Sequence, residues 1–202
     1  MNRAGKVSLV ALAVLFVAVP VQAQVFFAER AEAKSSHPAN NVMNLTTGEG
    51  EWMSGAWDNP PWVKFYFGDT PCILGGMTVV NFIGTGDDYT SRGVGLVEIF
   101  ASADGVNFNI PIMEHTFLQT NYSDPQSQWV PISYAEPVMG IMFVIRNVCN
   151  SDTIMFPGNI GDSFEHEVQN VGLHRITFTA VPEPATMSLL ALSGLALLRR
   201  RK

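Results

Sequence analysis

Three short polar segments each hold an aromatic side chain next to hydrogen-bonding groups. Trp57 lies in the segment 54–59 beside Asp58. Tyr89 and Arg92 lie between Gly84 and Gly93. Tyr122 follows Asn121 in the segment 119–124. An indole or phenol ring offers a flat apolar face, and a neighbouring carboxylate, guanidinium or amide can bond hydroxyl groups. That pairing suits a sugar ring. Trp57, Asp58, Tyr89, Arg92, Asn121 and Tyr122 are therefore the candidate ligand-binding residues. The competing reading is that these rings cap a core from its loops.

Residues for covalent or metal chemistry do not form a pattern. His37, His115, His166 and His174 lack the close repeat that places two imidazoles on one ion. His166 stands between Glu165 and Glu167, which reads as a solvated acidic turn. Ser35 and Ser36 precede His37, but nucleophilic catalysis needs a base and an orienting acid that converge in space. Asp87 and Asp88 are chain neighbours, whereas glycosidase carboxylates face each other across a cleft. No catalytic residue, metal site or cofactor is expected.

Charge narrows the partners further. Residues 24–180 hold six basic and seventeen acidic side chains, a net charge near −11. A surface of that sign repels phosphate backbones, so nucleic acid is not an expected partner. Cys72 and Cys149 are the two cysteines. If the chain is exported, they meet an oxidising compartment, and a Cys72–Cys149 disulfide is the expectation. Two buried free thiols are the alternative.

Both ends of the chain read as addressing segments. Arg3 and Lys6 precede an apolar run over 7–21, and Val21-Gln22-Ala23 is a small-x-small cleavage site. The expected division is a signal peptide over 1–23, a domain over 24–180 and a sorting segment over 181–202. The last segment reads Val-Pro-Glu-Pro-Ala-Thr, then an apolar run from Met187 to Leu198, then Arg199, Arg200, Arg201 and Lys202. As a helix that run would span roughly 18 Å, short of the ~30 Å core of a bilayer. It reads as a brief stop-transfer element with a cationic brake on the cytoplasmic side.

Pro182, Glu183, Pro184, the apolar run and the arginines of the tail resemble the PEP-CTERM sorting signal of Gram-negative and related bacteria. The resemblance implies processing by an exosortase, a transpeptidase-like membrane enzyme, after transient anchoring through the C-terminal segment. It also implies delivery to the cell surface or an exopolysaccharide matrix.

Between the two ends the hydrophobic period is two. Ile141, Phe143 and Ile145 alternate with Met142, Val144 and Arg146. Ile176, Phe178 and Ala180 alternate with Arg175, Thr177 and Thr179. Further strands are expected over 63–67, 73–82, 96–102 and 129–134. Turn signals separate them at Asn59-Pro60-Pro61, Gly84 to Asp88, Asp104-Gly105 and Phe156 to Asn159. The expected fold is all-β, an antiparallel β-sandwich or jelly roll, flanked by an N-terminal signal helix and a short C-terminal apolar helix.

Order and spacing carry a second resemblance. Ala33 to Val42 with Trp52, Pro61 to Gly68, Ile73 to Asn81, Val97 to Phe108 with its Ser-x-Asp-Gly hairpin, and Val171 to Ile176 together resemble the discoidin-like, coagulation-factor type C domains. The resemblance implies a galactose-binding-like jelly roll that uses loops at one end to hold ligands. In calcium-binding relatives carboxylates near the first strand and in the closing strand help hold the ion. Here Asn44, Thr46-Thr47-Gly48 and Arg175 stand in those regions, so no calcium site of that type is expected. The expected protein is a surface-associated, non-catalytic module that contacts carbohydrate, extracellular polysaccharide included. The alternative is a purely structural matrix or cell-surface protein.

Overall fold

A computed structural model describes residues 23–55, 60–83, 92–120, 123–149 and 170–181. The expected signal helix and C-terminal apolar helix lie outside the described residues. Ten strands and one helical turn are described, in the order β1 (Gln24–Phe26), β2 (Arg30–Ala33), α1 (Asn44–Thr47), β3 (Trp52–Met53), β4 (Trp62–Tyr66), β5 (Ile73–Asn81), β6 (Leu96–Ser102), β7 (Ile110–Thr116), β8 (Ser127–Pro131), β9 (Gly140–Ile145) and β10 (Gly172–Val181). They form two antiparallel sheets. Sheet A runs β1-β10-β5-β8, with β3 added on β10. Sheet B runs β2-β4-β9-β6-β7.

The period-two pattern decides which side chains meet between the sheets. In β9, Ile141, Phe143 and Ile145 are buried while Met142 and Val144 are only half-buried. In β10, Ile176 and Phe178 are buried and Arg175 is exposed. Phe65 of sheet B meets Phe178 of sheet A with ring centroids 5.4 Å apart, and Phe143 lies 5.4 Å from Phe65 on the other side. Each such ring contributes about 1.5–3 kcal/mol by burial, so this aromatic seam holds the sheets face to face. Trp52 is fully buried. Trp62 instead lies on the outer face of sheet B, where Lys64 Nζ stands 4.9 Å from its ring centroid.

The sequence pattern did not mark β1, β2, α1, β3 or β7, and for two of these the physical reason is plain. β7 contains Pro111 and alternates poorly. It is the edge strand of sheet B, pairing only with β6, so the missing N–H breaks no inner ladder. β2 reads Arg-Ala-Glu-Ala, a helix-like composition. Its pairing with β4 and the burial of Ala31 override that propensity.

The expected Cys72–Cys149 disulfide is not formed; both cysteines are free thiols. Cys72 directly precedes β5 and pairs with Val138. Cys149 lies against Asn81, the last residue of the same strand. Ile73 and Asn81 are eight strand steps apart, a rise of about 26 Å. A disulfide needs Cα atoms within about 7 Å. Burial pushes both thiols up to about 11, with Asn81 pulling weakly the other way at Cys149, so both stay protonated at neutral pH.

Candidate functional site

The end of the sandwich at Asn81 collects the stems of the long connections. β3 and β5 end there, and β4, β6, β8 and β10 begin there. The pairings Leu173 with Asn81, Gly172 with Met53, and Val80 with Ser127 fix this alignment. The connections between β3 and β4, β5 and β6, and β7 and β8 are those that bear Trp57, Tyr89 with Arg92, and Asn121 with Tyr122. The β9–β10 connection leaves from the same pole.

A buried polar network ties these stems together. Asn81 is 1% exposed. Its Nδ2 donates to Val94 O at 2.8 Å and Leu118 O at 3.0 Å, with Cys149 Sγ at 3.2 Å. Its Oδ1 accepts from Val94 N at 2.8 Å and Phe82 N at 3.0 Å. One amide thus meets the stems on both sides of 83–92, the start of 119–126 and the start of 150–169. The Cys149 thiol adds a bond to Val94 O at 3.2 Å. A Cβ at Gly93 would fall 2.7 Å from Asn81 Oδ1, so only glycine allows the chain to pass this close.

A second set of bonds fixes the Trp57 connection. Ser54 Oγ accepts from Val171 N at 3.0 Å, and Asn170 Nδ2 donates to Ser54 O at 2.7 Å. Gly55 N donates to Ser35 Oγ at 2.8 Å. Ile145 N donates to Pro61 O at 3.0 Å where the connection ends. Buried polar groups of this kind are costly unless paired, and here each finds a partner.

Of the six predicted ligand-binding residues, Arg92 is among the described ones. It is half-buried at the stem, and its carbonyl accepts from Gly172 N at 3.0 Å. Trp57, Asp58, Tyr89, Asn121 and Tyr122 lie outside the described residues, as do Pro182, Glu183, Pro184 and the tail arginines. Asn81, Ser54 and Asn170 were not singled out from sequence. The available signal was an amide closing the apolar run Met77-Thr78-Val79-Val80. Arg175, in place of a carboxylate, extends toward α1, with Nη2 3.4 Å from Gly48 O. The Asp104-Gly105 reversal forms as its sequence indicates, with Gly105 at φ 71°. Phe108 folds back against Tyr66 at 5.5 Å between centroids.

Residues 180–202 match the PEP-CTERM protein-sorting motif. The motif implies export, exosortase processing and sorting to the cell surface. No curated protein matches the chain. Solved structures share its fold. The family 32 CBM from Clostridium perfringens NanJ, in complex with galactose, is 13% identical with a TM-score of 0.52, over 74% of this chain and 92% of that one. The module CBM32-3 from a family 31 glycoside hydrolase of Clostridium perfringens is 11% identical with a TM-score of 0.53, over 79% and 95%. The CBM32 of AlyQ, in complex with 4,5-unsaturated mannuronic acid, is 10% identical with a TM-score of 0.51, over 77% and 97%. The described domain therefore shares the antiparallel β-sandwich fold of these carbohydrate-binding modules.

Proposed function

We propose that the protein is an exported, non-catalytic carbohydrate-binding module of the cell surface or exopolysaccharide matrix, which holds its ligand at the Asn81 pole. One observation carries this reading. The strands that join the two end segments both meet the opposite pole. Gln24 pairs with Ala180, and Val181 pairs with Ile73. A tail leaving after Val181 therefore starts about 26 Å from the loop stems, along β5. A chain tethered by its tail would leave the loop pole facing away from the tether. The proposed division is 1–23 a signal peptide, 24–180 the domain and 181–202 a transient membrane anchor that an exosortase removes; Val181 itself is still paired with Ile73 in β10. The fold shared with modules solved on galactose and on an unsaturated mannuronic acid supports a sugar as the ligand class.

Within that pole, Trp57, Tyr89 and Tyr122 supply stacking faces, and Asp58, Arg92 and Asn121 bond hydroxyls. Stacking on one ring contributes about 0.5–1.5 kcal/mol, judged from aromatic pairs. Trp57→Ala is then expected to weaken galactose binding by about two- to twelve-fold in calorimetric titration of the full-length protein, with unchanged thermal unfolding. A protein that binds no sugar on a glycan array, in wild-type form, is a structural matrix component instead.

A further inference from the structure

The outer face of sheet A stands apart from the loop pole. Register and alternation place Trp129, Thr78 and Thr177 in one row across β8, β5 and β10. The next row brings Gly76, Thr179 and Val25 together. Of the seven large apolar side chains exposed among the described residues, three rise from this face: Val25, Trp129 and Val181. Trp129 is 52% exposed and sits on the edge strand.

Two glycines make this face flat. Leu74 and Met77 both point inward, and a register shift lets Gly75 and Gly76 pass between them. A Cβ at Gly76 would lie 2.3 Å from Trp129 Cζ2 and 2.4 Å from Cη2. The six-membered part of the indole thus lies down on the bare backbone of Gly76. At Gly75 a Cβ would lie 3.0 Å from Val181 Cγ2. The ring is seated from beneath by a position that holds no side chain, and it stays half open to solvent beside threonine hydroxyls. An aromatic platform flanked by hydroxyls is the chemistry that receives a sugar ring.

Charge selects the occupant. None of the outward positions of β1, β10, β5 and β8 is Asp or Glu, although residues 24–180 carry seventeen acidic side chains, and the cation among them, Arg175, turns away to Gly48 O beside α1. A second copy of the chain, or an anionic bilayer or polymer, would be repelled by the domain's net negative charge. A neutral chain would not, and on this face it would meet no carboxylate that must lose water. We infer that the outer face of sheet A, centred on Trp129 over Gly76, is a second carbohydrate site that takes a neutral polysaccharide laid across the threonine rows. The inference does not rest on the loop pole.

The test is affinity electrophoresis of the full-length protein in mild detergent, through native gels cast with hydroxyethylcellulose, with alginate or with no polymer. Hydroxyethylcellulose is expected to retard the wild type, and alginate is not. Trp129→Ala should weaken the retardation about three- to ten-fold, and Trp129→Phe should restore most of it. Trp57→Ala should leave it unchanged while weakening the galactose titration, so the two sites fail separately. Wild type that migrates equally in all gels overturns the inference. So does a Trp129→Ala protein, folded by its thermal transition, that is retarded as strongly as wild type. A Trp129→Ala change seen only as a lower molar mass in light scattering assigns the face to a second copy and also overturns it.

Discussion

The two poles of the sandwich are built on opposite principles. At the Cys72 pole the Asp104 turn holds itself by side-chain bonds, beside backbone bonds such as Met139 N to Ser102 O and Cys72 N to Val138 O that cross the chain. Asp104 accepts from Ser102 Oγ, Val106 N, Asn107 N and Asn107 Nδ2 at 2.7–2.9 Å, all within three residues of it in the chain. Gly68 and Gly105 take positive φ there, so the reversals are short. At the Asn81 pole the bonds join residues far apart. Asn81 reaches Val94, Leu118 and Cys149 across 13, 37 and 68 positions, and Ser54 reaches Val171 across 117. Local bonding needs no other element to be in place, but it ends the chain excursion at once. Long-range bonding lets each connection grow, because its stem is fixed by the core and not by its own length. Variable loops for ligands belong at a pole of the second kind.

That contrast breaks most sharply at Asn81. Replacing it by alanine leaves Val94 N and Phe82 N without their side-chain acceptor, and leaves Val94 O and Leu118 O only the bonds from Cys149 Sγ at 3.2 Å and Gln128 Nε2 at 3.4 Å. The expected loss is about 2–4 kcal/mol, read in denaturant unfolding. Amide exchange locates the damage. Val94 and Phe82 should exchange much faster in Asn81→Ala, while Val106 and Asn107 keep their wild-type protection. Equal loss of protection at both poles would show that the two are one cooperative unit and that the division is mistaken.

The same contrast explains what could be read from sequence. Alternation in 141–146 and 175–180 marked β9 and β10 because burial repeats every second residue. Asp104-Gly105 marked its turn because donors and acceptor are neighbours. The three polar loops were visible as composition, and their stems do converge on one pole. What gathers them was not visible. Asn81 looks like any strand-ending amide, and nothing near it in sequence names Leu118 or Cys149 as partners. The cysteines failed for the same reason: an even pair and an oxidising destination say nothing of the strand that keeps them apart. The shelf under Trp129 depends on Gly76 lying across from it, which is again a matter of register.

A smaller effect sharpens the comparison from the other side. The four donors around Asp104, first the Asn107 and then the Val106 backbone N–H, hold its carboxyl well below the usual aspartate range. A depressed carboxyl stabilises the folded turn above the ordinary aspartate pKa of ~4. That contribution is lost as pH falls from there through the lower folded value. Protection of the Val106 and Asn107 amides should therefore fall between about pH 4 and 2. Asp104→Asn should flatten that dependence. The bonds at Asn81 involve no carboxylate, so Val94 should show no matching step.

The smallest expected effect is none at all, and it tests the separation of the poles directly. A Cys72–Cys149 bridge would close a loop of about 77 residues and contribute roughly 4.5 kcal/mol by chain entropy. For a domain of this size about 1 kcal/mol moves the thermal midpoint by about 2–4 °C. Breaking such a bridge would then lower the midpoint by roughly 10 °C or more. With one thiol beside Val138 and the other beneath Asn81, reductant has no bond to break. Unfolding of the oxidised, exported protein with and without dithiothreitol should give the same midpoint, and a thiol assay after denaturation should count two free groups. A midpoint that drops with reductant would place the two cysteines side by side. β5 could not then run unbroken from Ile73 to Asn81, and the loop pole and the tail pole would not lie at opposite ends of it.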